Sequence, residues 1–297
     1  ALLFAIHPVQ VETVCWISAS KIVLSTFFYL SALICYIQYM RNSKWQYLLA
    51  SVVSSILAMG CKEQSVIIVP CLLLFDWMLF KRNMRSLKVY IEKVYYLIPA
   101  IAIFIVTLVA NKNTGEEIIG YTIVDRFIFL CYSSFKYLLI SAIPFKLSYL
   151  YPFPFQVGEK IPMALWIYPF VILFIGYVIY LNRRKPLLVF CTLFFILHLL
   201  PVLHVIPLPR YVVAADRYLY IPYIAFAIGL SILSYHLYER QRKWILYAGF
   251  LYCSYLCVYT AGYAPAWKNS DTLKEHFKEV LKKRETNLSI NFKHEKQ

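Results

Sequence analysis

Long apolar stretches separated by short polar connections dominate this chain. Eight of these stretches approach the length of about 20 residues with which an α-helix crosses a bilayer. We therefore predict an all-α, polytopic integral membrane helix bundle with about eight spans. The eight stretches are residues 22–40, 46–61, 64–80, 94–110, 164–181, 187–203, 219–237 and 244–262.

A ninth apolar stretch, residues 126–143, is ambiguous because it contains Arg126 and Lys136. Four connections elsewhere hold most of the basic residues, and the positive-inside rule assigns such connections to the cytoplasm. If all four connections lie in the cytoplasm, the chain crosses the membrane eight times, and a ninth crossing would invert everything after it. We therefore expect residues 126–143 to be re-entrant or interfacial. The four connections contain Arg41 and Lys44; Lys81, Arg82, Arg85, Lys88 and Lys93; Arg183, Arg184 and Lys185; and Arg240, Arg242 and Lys243.

The two ends of the chain differ in composition. The first residues, Ala-Leu-Leu-Phe-Ala, have the character of the last turns of an interrupted helix, so we expect an N-terminal truncation. We assign residues 1–266 to the membrane module and residues 267–297 to a soluble helical tail. One amphipathic stripe in the tail, which predicts that it packs on something, consists of Leu273, Phe277, Val280 and Leu281.

Composition and motifs exclude several classes of function. The chain is 61% hydrophobic with a net charge of +15. Its basic residues lie in short runs between apolar stretches, as topology signals do, so we predict no nucleic-acid partner. The eight cysteines lack any CxxC spacing and are interpreted as packing residues. No P-loop, GxGxxG, HExxH or GxSxG occurs, and His198 and His204 lack metal-pair spacing, so we predict no metal site.

Two groups of polar residues in the first part of the chain cost free energy when they are placed in or near a membrane. In the first, His7 caps a helix that begins at Pro8, which sets Glu12 and Trp16 on one face. It is either an ordinary capped helix with an interfacial Trp or the wall of a site. In the second, Lys62 and Glu63 stand between two apolar stretches. Neighbours on a helix point about 100° apart, so the two need not pair. The alternatives are a snorkelling hairpin and an ammonium that binds a lipid phosphate.

The third polar group follows a proline-rich break in the apolar pattern. Arg210 and Arg217 have the chemistry of a guanidinium fork for phosphate, whereas Asp216 and Tyr220 on one face would suit sugar hydroxyls. The competing interpretation is an orienting Asp–Arg ion pair at the membrane interface. The same stretch supplies two more candidate cleft residues, His204 and Tyr218.

Four strings in order resemble the transmembrane and tetratricopeptide repeat O-mannosyltransferases and their bacterial relatives. The resemblance covers nearly the whole chain, although no single string is a strict signature. The strings are Phe4-Ala-Ile-His-Pro-Val-Gln-Val-Glu-Thr-Val-Cys-Trp-Ile17, Lys62-Glu63-Gln64, Asp216-Arg217-Tyr218-Leu-Tyr-Ile-Pro222 and Trp267-Lys-Asn-Ser270.

The resemblance implies a GT-C type glycosyltransferase, an integral enzyme that moves a sugar from a polyprenyl phosphate to an acceptor on the non-cytoplasmic face. It implies a lipid-linked sugar donor, a protein or glycan acceptor and no tightly bound cofactor. We assign Glu12 and Asp216 to catalysis or to lining the acceptor cleft. The donor phosphate is assigned to Lys62, Arg217 and Arg210, and the substrate cleft to His7, Trp16, Glu63, His204, Tyr218 and Tyr220.

Two departures from the family pattern leave the enzymatic status open. The family's acidic pair, which includes the expected base, lies upstream of this chain's first residue, and the tail shows no clear 34-residue repeat. The chain is thus a fragment of an active enzyme or a degenerate copy. The rivals are a flippase of lipid-linked glycans and a non-catalytic scaffold for repeats. Short outer loops and scarce glycosylation sites favour the bacterial plasma membrane over the endoplasmic reticulum.

Overall fold

The computed structural model describes residues 1–113, 120–148, 150–204, 212–240 and 242–278. These residues form helices joined by short turns, and one isolated bridge links two of the connecting loops. The all-helical part of the prediction is therefore confirmed. Arg210 and the end of the tail lie outside the described residues.

The α-helices alternate with short 3₁₀ turns and irregular connections. A last helical stretch covers residues 270–278, and Leu273 within it packs against the core. The α-helices are α1 (Leu2–Ile6), α2 (Val11–Cys15), α3 (Ser20–Asn42), α4 (Trp45–Cys61), α5 (Ile68–Met78), α6 (Leu87–Asn113), α7 (Ile123–Ala142), α8 (Ile167–Leu181), α9 (Pro186–Leu199), α10 (Pro222–Arg240) and α11 (Arg242–Tyr263).

Four helical stretches are long and apolar enough to cross a membrane by length and composition. They are Ile17–Asn42, Leu87–Ala110, Met163–Leu181 and Arg242–Trp267. The outward faces of these helices are strongly apolar, as a lipid-facing surface requires. The chain thus has the helices of a membrane protein, while the count of eight spans stays a prediction.

Helices α3 and α4 form a tight antiparallel pair. The hydroxyl of Ser25 donates to the carbonyl oxygen of Ala58 at 2.9 Å, and that of Ser51 donates to Ala32 at 2.7 Å. Small residues let the two backbones approach, and the serine hydroxyls are satisfied without water. The start of α3 therefore lies beside the end of α4.

Successive long helices reverse direction in this way, so the bundle has two ends. We call one the motif end, which carries residues 7–19, 62–67 and 212–221. We call the other the basic end, which carries the turns at residues 43–44 and 182–185. The polar motifs found in the sequence thus gather at one end, and most basic connections gather at the other.

Helix α7 covers the ambiguous ninth stretch and packs on the motif end. The hydroxyl of Ser133 donates to the carbonyl of Val213 at 3.1 Å, and the amide of Ala215 donates to the hydroxyl of Tyr137 at 3.2 Å. Two successive turns of α7 therefore contact a loop of the motif end. These contacts agree with an interfacial or re-entrant helix, which stays a prediction.

A buried ionic network at the basic end joins α3, α5 and α6. The carboxylate of Asp76 lies 2.6 Å from the ammonium of Lys93 and accepts a bond from the hydroxyl of Tyr36 at 2.6 Å. Arg82 bridges Asp76 and Glu92 at 3.3 and 2.5 Å. Arg82 and Lys93, interpreted from the sequence as topology signals, are therefore bound in a charge-balanced network.

The apolar stretch 64–80 does not form one continuous helix. Residues Glu63–Ile67 form a 3₁₀ turn, and α5 covers only Ile68–Met78. Lys62 ahead of the turn is extended, with φ −151° and ψ 119°. This break holds the Lys62 segment at the motif end.

Candidate functional site

Separate segments of the chain meet at the motif end. The 3₁₀ turn Pro8–Gln10 and α2 pack on the turn Asp216–Leu219, and α2 also contacts the turn Ala264–Trp267. His7 caps the first of these turns, since its Nδ1 accepts the amide of Val9 at 3.3 Å. The predicted cap before Pro8 is thus confirmed.

A buried ion pair connects the first and third polar groups. One guanidinium nitrogen of Arg217 lies 2.6 Å from Oε1 of Glu12, and the backbone amide of Arg217 donates to Oε2 at 2.8 Å. Glu12 is 0% exposed. A buried carboxylate that accepts both side-chain and backbone donors fixes its partner firmly, so Glu12 sets the orientation of Arg217.

Aromatic rings surround the guanidinium of Arg217. Its central carbon lies 5.4 Å from the ring centre of Trp16 and 5.1 Å from that of Tyr218. Trp16 in turn packs on Trp267, with ring centres 6.0 Å apart. Cation–π contacts of this kind hold a charged group without neutralising it. The two rings and Glu12 therefore hold the guanidinium of Arg217 in one orientation at the edge of the site.

Asp216 lies beside this ion pair but has a different partner. It is 0% exposed, and its Oδ1 accepts the hydroxyl of Tyr151 at 2.8 Å. Burial raises the pKa of Asp216 well above its ordinary value, and the charge of Glu12 raises it further. Burial also raises the pKa of Glu12, whereas Arg217 opposes this by stabilising the charged form. Of the two acids, Asp216 therefore holds a proton more readily, whereas Arg217 favours the charged form of Glu12.

Lys62 and Arg217 line one small polar cleft at the motif end. Lys62 forms an ion pair with Glu63 at 2.9 Å, and their side chains are 16% and 45% exposed. The expectation that these neighbours need not pair assumed helical geometry, which the extended backbone of Lys62 lacks. The cleft has a volume of about 30 Å³, room for about two water molecules. Its further polar lining includes Ser25, Thr26, Gln64, Ser65, His198, Tyr218 and Tyr220.

An apolar groove of about 760 Å³ adjoins the cleft. It runs between α3 and α10, and Thr26 and Tyr220 line both the groove and the cleft. Its apolar walls include Phe27 and Ile228. The cleft with its two cations thus adjoins an apolar groove that begins at the motif end and runs along α10 as far as Tyr235.

The other predicted cleft residues lie at different distances from these cations. His7 is buried with its ring 4.2 Å from that of Tyr223, where burial lowers its pKa to about 3. His204 packs between Phe129 and Phe153 in a separate aromatic cluster. The structure therefore places His7 and His204 in packing positions.

Trp16 does not share a helical face with Glu12. Helix α2 ends at Cys15, and the backbone of Trp16 is extended, with φ −87° and ψ 111°. Tyr220 likewise diverges from Asp216, since it lines the groove and packs on Phe4 with ring centres 5.3 Å apart. The two shared faces predicted from helical spacing are therefore wrong.

His198 is a cleft residue that sequence reasoning did not assign to the site. Its Nε2 lies 2.8 Å from the hydroxyl of Tyr29, and its Nδ1 lies 2.8 Å from the carbonyl oxygen of Phe194. A buried ionisable residue within an apolar stretch was the available signal. The described residues contain no group of three side chains able to hold a metal ion.

Comparisons with protein-family models, with curated proteins and with solved structures returned no match to this chain. The family resemblance therefore rests on the four sequence strings alone.

Proposed function

We propose that this chain is the donor-binding module of a membrane glycosyltransferase that uses a polyprenyl phosphate-linked sugar on the non-cytoplasmic face. One observation carries the proposal: Lys62 and Arg217 line the same cleft beside a long apolar groove. A lipid phosphate combines an anionic head with an apolar tail, which is the complement of this surface. The resemblance of the four strings points to the same substrate class.

Arg217 and Lys62 would bind the phosphate oxygens. A guanidinium matches phosphate bidentately, and an ammonium adds a point charge. As the sugar leaves, negative charge builds on the phosphate, and fixed cations stabilise it. Glu12 is a positioning residue in this scheme because its carboxylate is already occupied by Arg217.

The general base for the acceptor hydroxyl would come from the acidic pair that the resemblance places upstream. Both acids are fully buried, Glu12 is paired with Arg217 and Asp216 is bonded to Tyr151, so neither is placed to reach an acceptor hydroxyl. Asp216 and Tyr151 form a neutral, hydrogen-bonded wall beside the ion pair. The scheme thus gives the two acids supporting roles.

Donor binding requires the cleft to open. At about 30 Å³ it is too small for a phosphate group, and Glu63 occupies the ammonium of Lys62. Glu63 is the more exposed partner and can swing into solvent, which frees Lys62. The donor phosphate would then take the place of the Glu63 carboxylate beside Lys62. The charge around the ammonium would hardly change.

The proposal is tested by the affinity of the purified chain for a polyprenyl phosphate and for the matching polyprenol. The phosphate should bind at least about tenfold more tightly, since charge-assisted hydrogen bonds contribute about 1.5–3 kcal/mol each. Lys62→Gln should remove most of this preference and leave polyprenol binding unchanged. Glu63→Gln should strengthen phosphate binding about two- to fivefold, because an exposed ion pair is worth at most about 1 kcal/mol.

Lys44→Gln is the matched control, since Lys44 is exposed at the opposite end of the bundle. Equal affinity for phosphate and alcohol, or an unchanged preference in Lys62→Gln, would contradict the proposal. In membranes that contain the protein, transfer of labelled hexose from the lipid donor to an acceptor distinguishes a transferase from a flippase or a scaffold. Lys62→Gln should lower that transfer.

A further inference from the structure

A second cavity lies on the other side of α10 from the groove. Its volume is about 620 Å³, and helices α7, α8, α9 and α10 line it. Helix α8 packs mainly on α7, whereas α9 packs mainly on α10. The two helix pairs therefore diverge, with the turn at residues 182–185 joining them at the basic end.

One face of α8 supplies an apolar wall, with Ile172, Ile175 and Ile179 directed into the cavity. Gly176 on the same face and Gly229 on α10 leave space open. A Cβ added at Gly176 would meet nothing within 4 Å, and one at Gly229 would meet only Cys191 at 3.8 Å. Missing side chains on facing helices thus widen the cavity.

The only charged residue of the described lining lies at one end, while Ser134 and Thr192 add hydroxyl groups farther along. Lys185 and Asn182 line the cavity where it reaches the basic end. In the ranges that the structure describes, Lys185 forms no ion pair with a carboxylate. Arg183 and Arg184 precede it directly. An apolar cavity with the ammonium of Lys185, unpaired among the described residues, at its basic end is complementary to an amphiphile with an anionic head.

Charge decides between the apolar occupants. A purely apolar transmembrane helix offers no anion to Lys185 at the basic end of the cavity, whereas an anionic lipid does. Water avoids apolar cavities of this kind. Lipid acyl chains are narrow and flexible, and they are the apolar medium around the bundle. Basic pockets between transmembrane helices are a known setting for anionic lipid heads.

We propose that this cavity binds one anionic phospholipid of the leaflet at the basic end, with its head at Lys185 and one acyl chain between α8 and α9. The site is separate from the donor site, since α10 divides the two and the head groups lie at opposite ends. It holds a structural lipid that fills the gap between the helix pairs. The inference does not depend on the proposed glycosyltransferase function.

Native mass spectrometry of the protein from nanodiscs with equal amounts of phosphatidylcholine and phosphatidylglycerol tests the site. The unmodified chain should retain one phospholipid, with phosphatidylglycerol preferred about fivefold, the effect of about one cation near a lipid head. Lys185→Gln should abolish the preference. Gly176→Phe should displace the lipid, and Gly229→Leu, which fills the cavity from α10, should do the same.

Two substitutions serve as matched controls. Lys243→Gln removes another exposed cation from the basic end, and Gly249→Phe adds a ring to open space on α11. Both should leave retention unchanged, and thermal unfolding midpoints identify any variant that fails to fold. Full retention in well-folded Gly176→Phe and Gly229→Leu would overturn the proposal. So would a lipid without head-group preference in the unmodified chain, or recovery of polyprenyl phosphate instead.

Discussion

Asp216 and Arg217 are neighbours in the chain whose side chains go to opposite partners. Arg217 reaches Glu12, whereas Asp216 reaches Tyr151. A 3₁₀ turn separates successive side chains by about 120°, so the two cannot pair as an interfacial Asp–Arg pair would. The result is a charged pair at the edge of the cleft and a neutral carboxyl behind it.

The proton on Asp216 predicts a pH dependence of stability. Its pKa is raised in the folded state, so the folded chain keeps the proton at pH values where the unfolded chain has lost it. The free energy of unfolding should therefore fall as the pH rises from about 4, the ordinary Asp value, towards the raised folded value. Asp216→Asn should lose this decline.

Unfolding in mild detergent at a series of pH values measures the effect. Asp271→Asn, the same substitution at an exposed position, should keep the decline of the unmodified chain. A parallel decline in Asp216→Asn would show that Asp216 is ionised in the folded state at neutral pH.

The sequence located the polar residues of the site but not their partners. Lys62, Glu12 and Arg217 were identifiable because each is costly to place among apolar residues. Their pairing depends on backbone angles at single residues. Extended backbone at Lys62 and Trp16 breaks the helical spacing on which the predicted faces relied. The pattern of apolar residues does not show where the helical backbone is interrupted. The ion-pair partners of Lys62, Glu12 and Arg217 could therefore not be predicted from it.

At the scale of elements, the ionic network holds α3, α5 and α6 together at the basic end. The pair Asp76 and Lys93 is almost completely enclosed, with side chains 0% and 4% exposed. Tyr36 on α3 bonds to both. Asp76 is visible in the sequence as a lone acid inside the apolar stretch 64–80. The topology argument counted basic residues only, so it gave Asp76 and Glu92 no partner. Their ion pairs become clear only when the helices are packed together.

Removing one partner of this pair should cost more than removing both. Asp76→Ala leaves the buried ammonium of Lys93 with only the more distant carboxylate of Glu92, 3.8 Å away, and broken buried pairs cost up to about 3–5 kcal/mol of unfolding free energy. Adding Lys93→Ala to that variant should recover part of the loss. A double-mutant cycle, followed by denaturant unfolding in micelles, measures the coupling.

Lys88→Ala is the control, since Lys88 is exposed on the same helix and should change stability by less than about 0.5 kcal/mol. A coupling energy near zero would mean that the network does not hold α5 to α6.

At the scale of the whole molecule, the two ends differ in chemistry. The motif end gathers the phosphate-binding candidates and the groove, and the basic end gathers the network and most of the exposed cations. Apolar periodicity predicted the helices that build this arrangement. It could not predict the gap between α8 and α9, since that gap depends on which helices pack as neighbours.

This two-ended arrangement predicts the labelling pattern of single cysteines in a cysteine-free background. Gly120 and Glu159 flank α7, and Arg184 and Lys44 lie at the basic end. If α7 is interfacial or re-entrant as predicted, an impermeant maleimide should label both Gly120→Cys and Glu159→Cys in intact cells. Arg184→Cys and Lys44→Cys should react only after permeabilisation if the predicted topology, which places the basic connections in the cytoplasm, is correct.

Opposite labelling of Gly120→Cys and Glu159→Cys would show that α7 spans the membrane, and everything after it would be inverted. Lys62 and Arg217 would then lie on different sides of the bilayer, which their shared cleft does not allow. Labelling of both positions only after permeabilisation would have another consequence. The cleft would face the cytoplasm, where the proposed donor sugar is not displayed, and the proposal of a polyprenyl phosphate donor on the non-cytoplasmic face would fail.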